Sequence, residues 1–328
     1  MRYEINHRTS YSYASEVSVS HHLARLTPRA LAGQQLIAHD LVVDPGVATM
    51  THRDDYFGNR ATFFTITSPH RTLDVISRCR VELQPRETPR PAGTPPWEMI
   101  REACKNGSGA LYRQIELGEK PPVSTDATPN GTGGLPLALN LSGGTAGDPT
   151  DVREFIFPSP FVPQLPELAD YAAESFPPER PMLEAVLHLT NRIARDFTFD
   201  PRATTTATPM EQVIKQRRGV CQDFAHFQIG CLRALGLPAR YTSGYLETMP
   251  PPGKPKLVGA DASHAWVQVY IPPAGWIDVD PTNNLLPSDR HVLLAWGRDF
   301  DDVSPIRGVI VGGGKHKLDV AVDVTPIV

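Results

Sequence analysis

The chain has 328 residues, a formal net charge of −4 and a hydrophobic fraction of 40%, which fit two ordinary soluble domains or one large one. It carries no basic stripe and no apolar run of about 18 residues, which argues against nucleic acid as a partner and against a membrane span. Four cysteines in so long a chain do not form a disulfide framework, and the absence of a CxxC pair argues against a zinc cluster.

The N-terminal part of the chain alternates apolar and polar residues, as half-buried strands do. A Gly-Asn turn at residues 54–60 separates two of these stretches. Because no helical period interrupts them, they predict an N-terminal β-sandwich domain over residues 1–88. The predicted strands lie at residues 1–13, 36–46, 61–67 and 73–83.

Residues 89–154 form the predicted connection between two domains. They begin with a proline-rich linker, followed by a short helix at 97–104. The stretch at 105–150 is rich in Gly, Pro and Thr and has no sustained period in its second half. This composition predicts a long loop or disordered insertion, with a lid over a cleft as the alternative.

A second domain is predicted over residues 155–328, where helical spacing returns. Helices are expected at 181–197 and at 208–219, the second one capped by Thr208 and Glu211 and ended by Gly219. A third helix follows directly and stops at Gly236. Strands are expected after it, at residues 239–246, 264–271, 275–280, 307–311 and 316–324.

Cys221 lies in the first turn of the third predicted helix. Backbone N–H groups there lack intrahelical acceptors, and the helix dipole favours negative charge, so both effects stabilise a thiolate over a thiol. Arg217 and Arg218 are close enough in sequence to add to this. Cys231 is an internal contrast because it falls on the buried stripe of the same helix. Cys221 is therefore a candidate nucleophile, with the role of small apolar filler as the alternative.

A thiolate nucleophile needs a base, and the base needs an orienting acceptor. His264 starts a predicted strand, on the parity opposite to the apolar one. Asp278 and Asp280 share the corresponding parity of the next strand, which follows after a short turn. If the two strands pair as a hairpin, the imidazole meets one aspartate. Strand parity does not show which of Asp278 and Asp280 is the partner. The alternative to a catalytic pair is that His264 is a surface histidine and that Asp-Pro-Thr only forms a turn.

The segments GVCQDFAHFQIGCLRALGLPARYTSGYL and GADASHAWVQVYIPPAGWIDVDPTNN resemble the core of bacterial transglutaminase-like cysteine enzymes. The resemblance implies a papain-like α+β core, with helices packed on an antiparallel sheet. It also implies a triad in chain order in which Cys221 is the nucleophile, His264 the histidine and Asp280, of W-x-x-x-D-P-T, the acid.

The resemblance extends to other parts of the chain. HRTSYSY, RLTPR, DDYFGN and TSPH are similar to the β-rich domain that precedes such cores, and WGRDFDDVSPIRGVIVGGG is similar to the segment that follows the triad. The match covers residues 1 to about 100 and about 150 to 328. The stretch at 105–150 departs from the family, where this junction is short.

The function implied is acyl transfer on amide bonds through a Cys–His–Asp triad. Peptide or isopeptide hydrolysis is favoured because the resemblance is to bacterial members, with transfer of protein glutamine to an amine as the alternative. A non-catalytic scaffold that binds peptides is a further alternative, disfavoured by the presence of all three triad residue types. The expected partner is a peptide or protein substrate, with no cofactor and no metal site.

The oxyanion of such a reaction needs two donors, of which the Cys221 backbone N–H is the one visible in the sequence. Gln212, Gln216, Gln222 and Tyr245 remain open as the second. The polar N-terminus lacks the apolar core of a signal peptide, and with few cysteines this predicts a cytoplasmic protein. The sequence does not indicate an oligomeric state.

Overall fold

The structure is a computed structural model that describes residues 1–106, 152–248, 261 and 263–327. The insertion predicted at 105–150 lies, from residue 107 onward, outside the described residues. None of the described helices combines the length and the apolar character needed to cross a bilayer.

The described elements are antiparallel strands and short helices. The strands are β1 (Arg2–Ala24), β2 (Gln34–Asp44), β3 (Thr49–Asp54), β4 (Arg60–Ile66), β5 (His70–Leu83), β6 (Thr198–Phe199), β7 (Arg218–Gly219), β8 (Ala239–Leu246), β9 (Ser263–Ile271), β10 (Gly275–Val279), β11 (His291–Gly297), β12 (Ile306–Gly312) and β13 (His316–Ile327). The helices are α1 (Trp97–Asn106), α2 (Pro166–Ala173), α3 (Met182–Asp196), α4 (Met210–Gln216), α5 (Cys221–Ala234) and α6 (Phe300–Val303), with 3-10 turns at Pro91–Gly93 and Glu154–Ile156.

The N-terminal strand-rich region is built around β1, whose register shifts between Ser12 and Val17. Before this irregularity β1 pairs with β5 and β13, and after it with β4 and β12. Apolar side chains from both halves, such as Tyr13, Phe64 and Val75, pack into one cluster. The last two strands thus return to the sheet in which the chain began.

The second sheet has the strand order β10-β9-β8-β11, so β10 and β11 are its two edges. Helix α5 packs on one face, where Phe224 and Phe227 share a buried core with Val267 and Val269. This is the predicted arrangement of helices on an antiparallel sheet, and the predicted hairpin of β9 and β10 forms as well.

Side-chain amides from the N-terminal region cover the edge strand β11. Gln34 exchanges two hydrogen bonds with the backbone of Leu293, at 2.7 and 2.8 Å. Asn59 does the same with the backbone of Trp296, at 2.9 Å each. An uncovered edge would leave backbone donors and acceptors unpaired, so these contacts fix the position of β11 against the rest of the molecule.

Several local predictions needed correction. Helix α4 starts after Pro209, and Thr208 does not cap it, because the Thr208 hydroxyl accepts from the backbone N–H of Thr205 instead. The helix ends with Arg217 in the left-handed region, before the Gly219 that was expected to end it. Strand β11 was not predicted at all. Helix α5 agrees with its prediction, from its start at Cys221 to the positive φ of Gly236 behind it.

Candidate active site

Cys221 is the first residue of α5 and is half-buried. The turn that presents it is held by Asp223, whose carboxylate accepts from the backbone N–H of Val220 at 2.8 Å and from the hydroxyl of Thr204 at 2.6 Å. Gly219 lies against this carboxylate, where a β-carbon would have no room. Asp223 is therefore a cap of the helix that begins with Cys221, consistent with the preference for acidic groups in a first turn.

Strand β9 begins with Ser263 and brings His264 to the start of α5. The imidazole interacts with the Cys221 thiol, and this interaction is one of those that raise the pKa of His264. The imidazole Nε2 lies 2.7 Å from Oδ2 of Asp280. Since Nε2 faces the carboxylate, Nδ1 is the nitrogen left for the thiol. The structure thus brings all three residues predicted as a triad together, with His264 between Cys221 and Asp280.

Asp280 follows β10 and its side chain is fully buried. Its Oδ1 accepts from the backbone N–H groups of Thr282 and Asn283, at 2.9 and 3.1 Å. Its Oδ2 accepts from His264, from the amide of Asn283 at 2.8 Å and from Nε2 of His291 at 3.2 Å. The Asp-Pro-Thr turn predicted as an alternative therefore orients the carboxylate of Asp280.

The surroundings of His264 and Asp280 favour a protonated imidazole and an ionised carboxylate. Burial alone would lower the pKa of the His264 imidazole, but the hydrogen bonds to Asp280 and Cys221 outweigh it and raise the pKa to about 10. Burial would likewise raise the pKa of the Asp280 carboxyl, but donation by His264, His291 and Asn283 holds it well below its usual range. A protonated imidazole beside an ionised carboxylate fits this environment.

Asp278, the aspartate predicted on the same face of the strand as Asp280, has a different role. Its carboxylate accepts from the indole N–H of Trp266 at 2.7 Å and pairs with Arg86. The Trp266 ring in turn stacks on His264, with ring centres 6.0 Å apart and 1% of the residue exposed. The face of β9 that carries His264 is therefore buried, and Trp266 shields the imidazole from water. Trp276 instead packs on Arg240 at 4.1 Å.

The side chains considered as a second oxyanion donor differ in burial and in contacts. Tyr245 is fully buried and its hydroxyl lies 2.9 Å from Nδ1 of His7, so it is engaged away from Cys221. Gln212 and Gln216 are exposed on α4, whereas Gln222 is half-buried directly beside Cys221.

The remaining thiols differ from Cys221. Cys79, Cys104 and Cys231 are buried, and burial raises the pKa of Cys79 to about 12 and that of Cys231 still further.

Farther along the chain, Arg298 pairs with Asp302 and Arg307 with Asp301, and these salt bridges lie within the segment that follows Asp280.

One group of side chains has the composition of a metal site. His264, Asp280 and His291 each offer a ligand atom, and these atoms lie within 4.8 Å of one another. The same atoms already hydrogen-bond through Asp280 Oδ2. Because these bonds account for the arrangement, we interpret it as a hydrogen-bond network around the carboxylate.

Two family models match the chain. Residues 3–82 match the bacterial transglutaminase-like N-terminal region, and residues 169–281 match the transglutaminase-like superfamily. The second range contains Cys221, His264 and Asp280.

Similar sequences and structures agree with these matches. An uncharacterised protein of Mycobacterium tuberculosis is 39% identical, over 99% of this chain and 93% of its own length. A protein-glutamine gamma-glutamyltransferase of Pseudomonas aeruginosa is 32% identical over 126 residues, which are 38% of this chain and 19% of that protein. The crystal structure of a proposed cysteine protease from Cytophaga hutchinsonii matches with a TM-score of 0.67 and 23% identity, covering 99% of this chain and 90% of that one, and supports the fold.

Proposed function

Because the chain belongs to the transglutaminase-like superfamily, we propose that it is an enzyme that cleaves amide bonds through the triad of Cys221, His264 and Asp280. The observation that carries this proposal is the 2.7 Å hydrogen bond between the imidazole of His264 and the fully buried carboxylate of Asp280. The same imidazole interacts with the half-buried thiol of Cys221. A core histidine that merely satisfied its polar atoms would not need a thiol at the start of a helix as its other partner.

The first step starts from a Cys221 thiolate and a His264 imidazolium, whose Nδ1 holds the proton of the thiol and whose Nε2–H donates to Asp280. The thiolate attacks the carbonyl carbon of the substrate amide, so that a C–S bond forms and the carbonyl oxygen gains the negative charge. The backbone N–H of Cys221, at the start of α5, donates to this oxygen.

In the second step, the imidazolium gives its proton to the amide nitrogen, the C–N bond breaks and the amine leaves. A thioester of Cys221 remains. Water then attacks the thioester carbonyl and loses its proton to His264, which releases the carboxylic acid and restores the thiolate and the imidazolium. An amine in place of water would give a new amide by the same route, so the triad itself does not separate hydrolysis from transfer.

We infer that hydrolysis of a peptide or isopeptide is the principal reaction. Transfer to an amine is the second candidate, supported by the similarity of the core to the gamma-glutamyltransferase. The partner is then a peptide or protein that carries the scissile amide. The low number of cysteines supports a reducing, cytoplasmic location, which cell fractionation with cytosolic and periplasmic markers tests.

The test is a screen of peptide and glutamine-containing substrates with and without an added primary amine. Mass spectrometry identifies a free acid, or the amine adduct, as the product. The proposal expects turnover by the wild type, none by Cys221→Ser and normal turnover by Cys231→Ser, a matched change in the same helix. Turnover that survives in Cys221→Ser contradicts the proposal. Peptide binding without turnover in the wild type would favour the non-catalytic scaffold.

A further inference from the structure

A second histidine lies on the triad carboxylate, on the side opposite to the turn that follows β10. His291 is the first residue of β11 and is 4% exposed. Its Nε2 lies 3.2 Å from Asp280 Oδ2, and its ring packs edge-on against Trp266 at 5.3 Å. We infer that His291 is a positioning residue of the catalytic machinery, which holds Asp280 in the orientation that His264 requires. This inference rests on the proposed function.

The hydrogen-bonding state of His291 follows from its surroundings. Its Nδ1 is buried without a hydrogen-bond partner in the part of the chain that the structure describes. A proton on Nδ1 would be a buried donor without an acceptor, which is costly. The hydrogen therefore belongs on Nε2, where Asp280 Oδ2 accepts it. His291 is thus a donor to the carboxylate.

The hydrogen bond from His291 to Asp280 matters because His291 lies on a different strand from the other donors. The other donors to Asp280 come from His264 on β9 and from the turn at 282–283, directly behind Asp280. These groups lie on the β10 side of the sheet, whereas β11 is the opposite edge. His291 therefore ties the carboxylate across the end of the sheet to a strand that Gln34 and Asn59 hold in place.

Loss of this donor would leave Asp280 tied only to the β9 and β10 side. Small displacements of a catalytic group lower the rate strongly, because proton transfer depends on the alignment of donor and acceptor. His291→Leu removes the donor at similar volume. His291→Gln keeps an N–H at about the reach of Nε2. His22→Leu is the matched control, since His22 is a buried histidine that stacks on Phe64 in the N-terminal region.

The measurement is the second-order rate constant for iodoacetamide alkylation of Cys221 at pH 6, followed by mass spectrometry alongside thermal melting curves. We expect His291→Leu to lower this rate at least about tenfold, His291→Gln to restore most of it, and His22→Leu to leave it unchanged. A wild-type rate in folded His291→Leu overturns the inference. So does a rate in folded His291→Gln as low as in His291→Leu, because that pattern indicates a role in packing alone.

Two further results separate this inference from the proposed function. If His264→Ala leaves the alkylation rate unchanged, the triad itself is absent and both fail. If His264→Ala slows alkylation but His291→Leu does not, only the role of His291 fails. Long-range 1H–15N spectra test the tautomer independently. They are expected to show a proton on Nε2 of His291 and none on Nδ1, and the reverse assignment would also overturn the inference.

Discussion

Gly219 and Asp223 are in direct contact next to Cys221. A β-carbon built on Gly219 would lie 2.8 Å from both Cβ and Cγ of Asp223. The same carboxylate accepts the backbone N–H of Val220, the residue before Cys221. The close approach of Gly219 is therefore linked to the conformation in which α5 presents its first residue.

Gly219→Ala is expected to destabilise the protein by about 1–3 kcal/mol, as overpacking at a tight contact does. It should also slow alkylation of Cys221, because Asp223 must move. Urea denaturation gives the free energy of unfolding. Gly46→Ala is the control, since a β-carbon at Gly46 meets no atom within 4 Å. Equal effects of the two changes would contradict the proposed contact.

Asp223→Ala is expected to lower the free energy of unfolding by about 1 kcal/mol, because α5 loses its cap. Asp223→Asn keeps an oxygen that accepts from Val220 and should be milder. The comparison uses denaturation at pH 7 together with the alkylation rate of Cys221. An alanine variant as stable as the asparagine variant would show that the cap contributes little.

Asp280→Asn tests the charge of the carboxylate with little change of volume. Without the negative charge and its full set of acceptor sites, the pKa of His264 should fall from about 10 toward its ordinary value. We expect turnover to fall by about 10² to 10⁴, the range of acid–base assistance. NMR titration of His264 gives its pKa. An unchanged pKa would show that the charge of Asp280 does not raise it.

The raised pKa of His264 also predicts how stability depends on pH. A pKa of about 10 in the folded protein, against an ordinary 6.5, means that the folded state holds this proton more tightly. The stabilisation is fully present below about pH 6.5 and is lost as the pH rises through 10. Denaturation of the wild type and of His264→Gln at pH 6, 8 and 10 should show a difference that shrinks with pH. A difference independent of pH contradicts the raised pKa.

The sequence predicted the parts of the site that depend on local pattern. The glycine turn at Gly219 and the apolar stripe behind it placed Cys221 in the first turn of a helix, and strand parity placed His264 and the aspartates on one face of a hairpin. Parity could not separate Asp278 from Asp280, because both lie on that face. The resemblance to the family chose Asp280, and the structure shows why Asp278 is not free, since Trp266 and Arg86 occupy it.

What the sequence did not predict depends on contacts between distant segments. His291 lies eleven residues beyond Asp280, at the start of a strand that was not recognised, and nothing in its neighbours marks a catalytic partner. The face of β9 that carries His264 looked exposed because it is polar and aromatic. It is buried because Trp266 packs with Leu293 and Trp296 of β11, and Leu31 and Phe57 of the N-terminal region pack against this cluster.

The central claim is that Cys221 and His264 act as one unit, and the pH dependence of alkylation tests it most directly. The rate of iodoacetamide modification is measured by mass spectrometry at Cys221 and at Cys231, in the wild type and in His264→Ala. The account predicts that Cys221 reacts well below pH 8, that Cys231 does not, and that the low-pH reaction disappears in His264→Ala. If Cys221 instead titrates like a free thiol, near pH ~8.5, whether or not His264 is present, the triad is contradicted.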